Sequence, residues 1–145
     1  MAIDLVNVAA GAGGFVVHGQ DAGDFSGWSV SSAGDINGDG FDDLIIGALD
    51  GAGPGNTRNA AGDSYVIFGK ASGFAAEIDL AAVAGGAGGF VIHGQDAGDL
   101  SGQSVSSAGD INGDGFEDLI IGAASADGPG NTRGGAGERG VRPRR

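Results

Sequence analysis

The chain has 145 residues, with 33 glycines, 3 prolines, no cysteine and a formal net charge of −12. That charge disfavours nucleic acid and anionic membrane surfaces as partners and favours cations, and the lack of cysteine excludes disulfide stapling. Glycine does not recur at every third position, so a collagen-like chain is excluded, and apolar clusters such as Tyr65-Val66-Ile67-Phe68 argue against disorder.

Short apolar runs bounded by glycine or polar turn residues predict strands at 15–18, 28–32, 44–48 and 64–68, then at 90–93, 103–107 and 119–123. No segment keeps a helical period over ten or more residues, so helix is expected only as a turn or two in the alanine-containing stretch 74–84. No run approaches the roughly 20 apolar residues of a membrane span. The start, Met1-Ala2-Ile3-Asp4-Leu5, shows neither the basic nor the apolar region of a signal peptide.

Internal repetition governs the architecture. A shift of 75 residues lays 3–48 on 78–123, and 39 of those 46 positions are identical. The domain reading is therefore a first repeat at 1–75, a second at 76–137, and a basic tail at 138–145. The tail is expected outside any blade, because Gly-Asp-Ser-Tyr-Val-Ile-Phe-Gly at 62–69 becomes Gly-Glu-Arg-Gly-Val-Arg-Pro-Arg at 137–144. Arginine and proline suit a buried strand poorly.

Each repeat holds the run Asp-Ile-Asn-Gly-Asp-Gly-Phe, closed by an aspartate at the ninth position. In the first copy Asp35, Asn37 and Asp39 alternate with Ile36 and Gly38. Calcium takes six to eight oxygens in a forgiving geometry. Side-chain oxygens at positions 1, 3 and 5, the carbonyl of Phe41 at position 7 and the carboxylate of Asp43 at position 9 suit it. Three aspartates gathered at one point repel one another without a cation. An EF-hand would need a glutamate at position 12, where Ile46 stands. Zinc and copper want His or Cys, which the loops lack, and magnesium demands a stricter octahedron. Asn-Gly and Asp-Gly also form plain hairpin turns, but a nine-residue oxygen pattern present twice favours calcium.

The run from Phe25-Ser26-Gly27 through the loop and Leu44-Ile45-Ile46-Gly47-Ala48 to Tyr65-Val66-Ile67-Phe68-Gly69-Lys70 resembles the FG-GAP repeat of integrin α chains and of large bacterial secreted proteins. The resemblance implies an all-β fold of four-stranded β-propeller blades, each taking its outer strand from the start of the next repeat. It also implies calcium in the hairpin between a blade's first two strands. Position by position, the metal role passes to Asp35, Asn37, Asp39, Phe41 and Asp43, and to Asp110, Asn112, Asp114, Phe116 and Asp118, giving two Ca²⁺ sites. The chain departs from the family pattern at Phe25-Ser26, Leu100-Ser101, Leu49 and Ala124, all turn-shaping positions. An extracellular or cell-surface setting, a protein or glycan ligand and a non-enzymatic role in structure or adhesion follow from the resemblance alone.

Other residues read more plainly. His18 and His93 are expected as turn-facing structural histidines. Asp21/Asp24 and Asp96/Asp99 are expected as turn residues rather than a glycosidase-type acid pair. Trp28, replaced by Gln103 in the second copy, is either a strand-packing residue or a contact unique to its blade. About two blades cannot close a ring, which takes roughly four to eight. The propeller is therefore incomplete unless copies join head to tail or the chain is part of a longer propeller. The alternatives are a propeller piece of a larger secreted hydrolase and a self-assembling structural repeat.

Overall fold

The computed structural model describes residues 2–128 and 138–142. A short helix α1 (Leu5–Ala9) precedes strand β1 (Val16–His18). Then come β2 (Ser26–Gly34), β3 (Asp43–Ala48), a 3₁₀ turn (Pro54–Asn56) and β4 (Asp63–Ile67). The second half holds β5 (Glu77–Asp79), α2 (Leu80–Ala84), β6 (Gly89–His93), β7 (Ser104–Gly109), β8 (Asp118–Ala123) and β9 (Glu138–Arg142).

The strands form three sheets: β1-β5, β2-β3-β4-β6 and β7-β8-β9. Among the described residues only the β1-β5 pair is parallel. The central sheet takes its outer strand, β6, from the second repeat, with Asp63 opposite His93 and Val66 opposite Phe90. It is the complete four-stranded blade, and the fold is all-β with an incomplete propeller.

All seven strand expectations fall on observed strands. The structure corrects the reading elsewhere. α1 was not expected, and α2 realises the anticipated short helix within 74–84. Asp4 and Asp79 cap them, each side chain accepting the amide two residues on. β5 was also not expected. The tail at 138–145, expected outside a blade, contributes β9 over Glu138–Arg142, paired antiparallel with β8 from Leu119↔Arg142 to Ala123↔Glu138. The pairing runs through main-chain groups that every non-proline residue carries, so side-chain composition did not forbid it.

Alternation in β3 and β4 sends side chains to both faces of the central blade, and two cores result. Ala33, Ile36, Ile45 and Val66 pack with Leu119 and Ile121 of the next sheet. Ile46, Tyr65 and Ile67 pack with Leu80 and Val83 of α2, and Val17 and Ile78 of the β1-β5 pair lie against them.

Candidate metal centre

The two oxygen-rich loops lie where the sequence placed them, in the β2–β3 and β7–β8 hairpins. Each loop curls around its first aspartate. The Asp35 Oδ1 accepts the amides of Gly38 (2.7 Å) and Asp39 (3.0 Å), and its Oδ2 accepts the Gly40 amide (2.8 Å). Asp39 Oδ1 accepts the Phe41 amide at 2.9 Å, and Asn37 Nδ2 donates to Asp39 Oδ2 at 3.0 Å. This curl needs Gly38 at φ 76° and Gly40 at φ 90°, where a Cβ is strained.

The second loop repeats the set. Asp110 accepts from Gly113 (2.8 Å), Asp114 (3.0 Å) and Gly115 (2.9 Å), and Asp114 accepts from Phe116 (2.9 Å). The loops also touch: the Glu117 amide donates to the Asp35 carbonyl at 3.4 Å. The Phe116 ring sits so close on Gly38 that any side chain there would collide with it.

Asp43 behaves differently from its loop partners. It is 0% exposed, and its two oxygens accept the amides of Ile36 (3.0 Å) and Gly69 (2.8 Å). Burial raises its pKa above the ordinary carboxylate range. The two amides oppose that shift, and the like charges of Asp39 and Asp35 add to it. Asp43 is thus a latch that ties the base of the loop to the end of β4. Asp118 makes the equivalent contact to the Ile111 amide at 2.9 Å.

The donor chemistry fits a hard cation. Every proposed ligand of the first loop is an oxygen, and Asp35, Asp39 and Asp43 have no ion-pair partner among the described residues. Asp35 and Asp39 are tied to each other by the Asp39 amide, which donates to the Asp35 Oδ1, and Asp43 holds the Ile36 amide beside them. They are not gathered as a three-carboxylate cage, however. Among the described residues no three His, Cys, Asp or Glu side chains converge at ligand spacing. Any site would therefore draw on Asn37 and main-chain carbonyls as well as carboxylates.

His93 has a partner that the sequence did not suggest, and Asp24 and Asp99 are buried within their turns. His93 Nδ1 lies 2.7 Å from Asp63 Oδ1, and Asp63 is 3% exposed and also accepts the Gly53 amide at 3.3 Å. The β4–β6 register makes this contact, which no local spacing revealed. His93 lines a cleft of about 180 Å³ with Ile92, Asp99, Ser101, Ile121 and Ala123. No hydrogen bond joins His93 to Ser101 among the described residues. His18 is exposed, 3.8 Å from Glu77.

The Asp24 and Asp99 amides close turns on the Asp21 and Asp96 carbonyls at 3.5 and 3.3 Å, and both residues are only 7% exposed. Burial raises both pKa values first, with Asp21 and Asp96 respectively the next cause. Asp24 Oδ2 has no hydrogen-bond partner among the described residues. Trp28 is 59% exposed and meets Phe25 edge-on, with ring centroids 6.2 Å apart.

Antiparallel blades, each with an oxygen-rich loop in its inner hairpin, define a β-propeller repeat protein. The FG-GAP repeat profile matches residues 26–67 and 101–138, and the chain belongs to the FG-GAP repeat family. Integrin alpha-PS5 of Drosophila melanogaster is similar, at 34% identity over 116 residues, covering 77% of this chain and 10% of the relative. The chain thus spans about a tenth of the length of that curated relative.

Proposed function

We propose that the chain is a calcium-binding β-propeller module that serves extracellular structure, adhesion or ligand binding and carries no catalysis of its own. The observation that carries this reading is the duplicate loop. Two hairpins 75 residues apart fold their oxygen donors by the same hydrogen-bond pattern around Asp35 and Asp110. Asp35, Asn37, Asp39, the Phe41 carbonyl and Asp43 would hold one Ca²⁺. Asp110, Asn112, Asp114, the Phe116 carbonyl and Asp118 would hold the other. The cation would supply the positive charge that the loop carboxylates lack.

The mechanism is linkage: the folded hairpin presents these oxygens together and the unfolded chain does not, so the ion stabilises the fold. Open oxygen loops of extracellular modules work at Kd values near 10⁻⁴–10⁻³ M, which matches calcium outside cells. The likeness to an integrin α chain supports a surface setting and a protein or glycan ligand.

The test is thermal melting of the wild type and of the Asp39→Ala/Asp114→Ala double variant, each with millimolar calcium and with chelator. The wild type should gain stability from calcium, and the variant should lose that gain while melting nearly as the wild type does in chelator. A variant that keeps the full calcium response would overturn the metal assignment.

A further inference from the structure

The cleft beside His93 is the second repeat's copy of a space that the first repeat fills. Moved back by 75 positions, its lining residues Ile92, Gln95, Asp99, Ile121 and Ala123 become Val17, Gln20, Asp24, Ile46 and Ala48. In the first repeat that space belongs to Tyr65. Tyr65 is 0% exposed, stands opposite Ile46 across the β3–β4 ladder and shares a core with Val17. Its hydroxyl donates to Gln20 Oε1 at 3.2 Å.

In the second repeat Gly140 takes the place of Tyr65, and it stands opposite Ile121 across the β8–β9 ladder in the same register. A glycine brings no ring, and a cleft of about 180 Å³ is left among the described residues. The walls differ accordingly. Ala48 is 0% exposed where Ala123 is half-buried, and Gln20 is half-buried where Gln95 is exposed.

The polar end of the space is kept, which is a second and independent observation. Gln20 Nε2 donates to Asp21 Oδ2 at 3.2 Å, leaving its Oε1 for the Tyr65 hydroxyl. Gln95 Nε2 donates to Asp96 Oδ2, also at 3.2 Å, so its amide is held the same way round. Arg58 fixes the turn beneath it by donating to the Gly94 and Gln95 carbonyls at 2.6 and 3.2 Å.

We propose that the cleft binds a small para-substituted phenol, its ring on Ile92, Ile121 and Ala123 and its hydroxyl donating to Gln95 Oε1. The size suits it, since an apolar cavity of roughly 150 Å³ holds benzene. The side chain that fills the first repeat's space is itself p-cresol joined to the main chain. The acceptor sets the preference: a ring without a hydroxyl binds roughly fivefold more weakly, the effect of one net hydrogen bond. This proposal does not depend on the calcium reading.

The test is a titration of p-cresol into the full chain, followed by NMR of labelled isoleucine, valine and alanine methyl groups. The Ile92, Ile121 and Ala123 resonances should shift saturably at millimolar p-cresol, while those of Val17, Ile46 and Ala48 stay fixed. Toluene should need roughly fivefold more ligand for the same shift. Gly140→Tyr supplies the ring from the main chain and should abolish the response. Gln95→Leu, a change at an exposed residue, should remove the preference for p-cresol over toluene. Unmoved Ile121 and Ala123 methyls in the wild type overturn the proposal. So do equal shifts in both repeats, or a folded Gly140→Tyr chain that still responds. Should Gly140→Tyr fail to fold, the wild-type shifts and the Gln95→Leu comparison decide the matter.

Discussion

Replacing Asp43 by alanine, with the cation removed, isolates its latch role from its proposed ligand role. The carboxylate is fully buried and satisfies two main-chain donors, the Ile36 amide at 3.0 Å and the Gly69 amide at 2.8 Å. A buried donor left without its acceptor costs about 1–3 kcal/mol. The Ile36 amide is buried and the Gly69 amide partly so, which places the second contribution at the low end. Relief of the buried charge at neutral pH offsets part of the loss. The net expectation for Asp43→Ala is a destabilisation of roughly 2–4 kcal/mol, a large share of the ~5–15 kcal/mol that holds an ordinary domain. Asp43→Asn keeps one acceptor oxygen and should cost roughly half as much. The assay is urea unfolding in chelator, where no cation contributes, comparing midpoint and slope with the wild type. The exposed Asp39→Ala should be nearly silent there. If Asp43→Ala costs less than about 0.5 kcal/mol in chelator, as an ordinary surface change would, the latch is refuted.

The pH dependence follows from Asp24, Asp43 and Asp99, whose pKa values are all raised, chiefly by burial. A raised folded-state pKa stabilises the fold below the unfolded value, near ~3.9, and that stability is lost as pH rises through the folded value. The metal-free chain should therefore melt higher at pH 5 than at pH 7, and Asp24→Asn should flatten the trend. A melting temperature that rises from pH 5 to pH 7 in chelator contradicts the assignment. Gly38→Ala should weaken the contact between the two loops, because the new Cβ meets the Phe116 ring and the left-handed φ of 76° is strained. Among the described residues the Cβ of Gly113→Ala meets nothing within 4 Å, so this variant bears only the backbone strain at φ 74°. Thermal melts should rank Gly38→Ala below Gly113→Ala, and the reverse order would show that the loops do not press on each other.

The strands and the loops were legible because both are written in short-range pattern. Glycine-bounded apolar runs marked β1 to β4 and β6 to β8, and the alternation of Asp35, Asn37 and Asp39 with Ile36 and Gly38 marked the curl. What escaped the sequence depends on partners far along the chain. The Asp63–His93 contact exists because β4 and β6 pair with those residues opposite, 30 positions apart. The latch role of Asp43 requires the Gly69 amide, 26 positions away. β9 was masked by arginines that argue against burial, although its main chain pairs with β8 in the register that β4 uses on β3. The burial of Asp24 and Asp99 was hidden by their setting among turn residues, which ordinarily face water.

Isothermal titration of calcium into the metal-free chain tests the central claim most directly. Two equivalent sites per chain are predicted, with both Kd values near 10⁻⁴–10⁻³ M, falling to one in Asp39→Ala and none in the Asp39→Ala/Asp114→Ala double variant. A wild type that takes up no calcium at these concentrations, or a double variant that binds as the wild type does, would contradict the account.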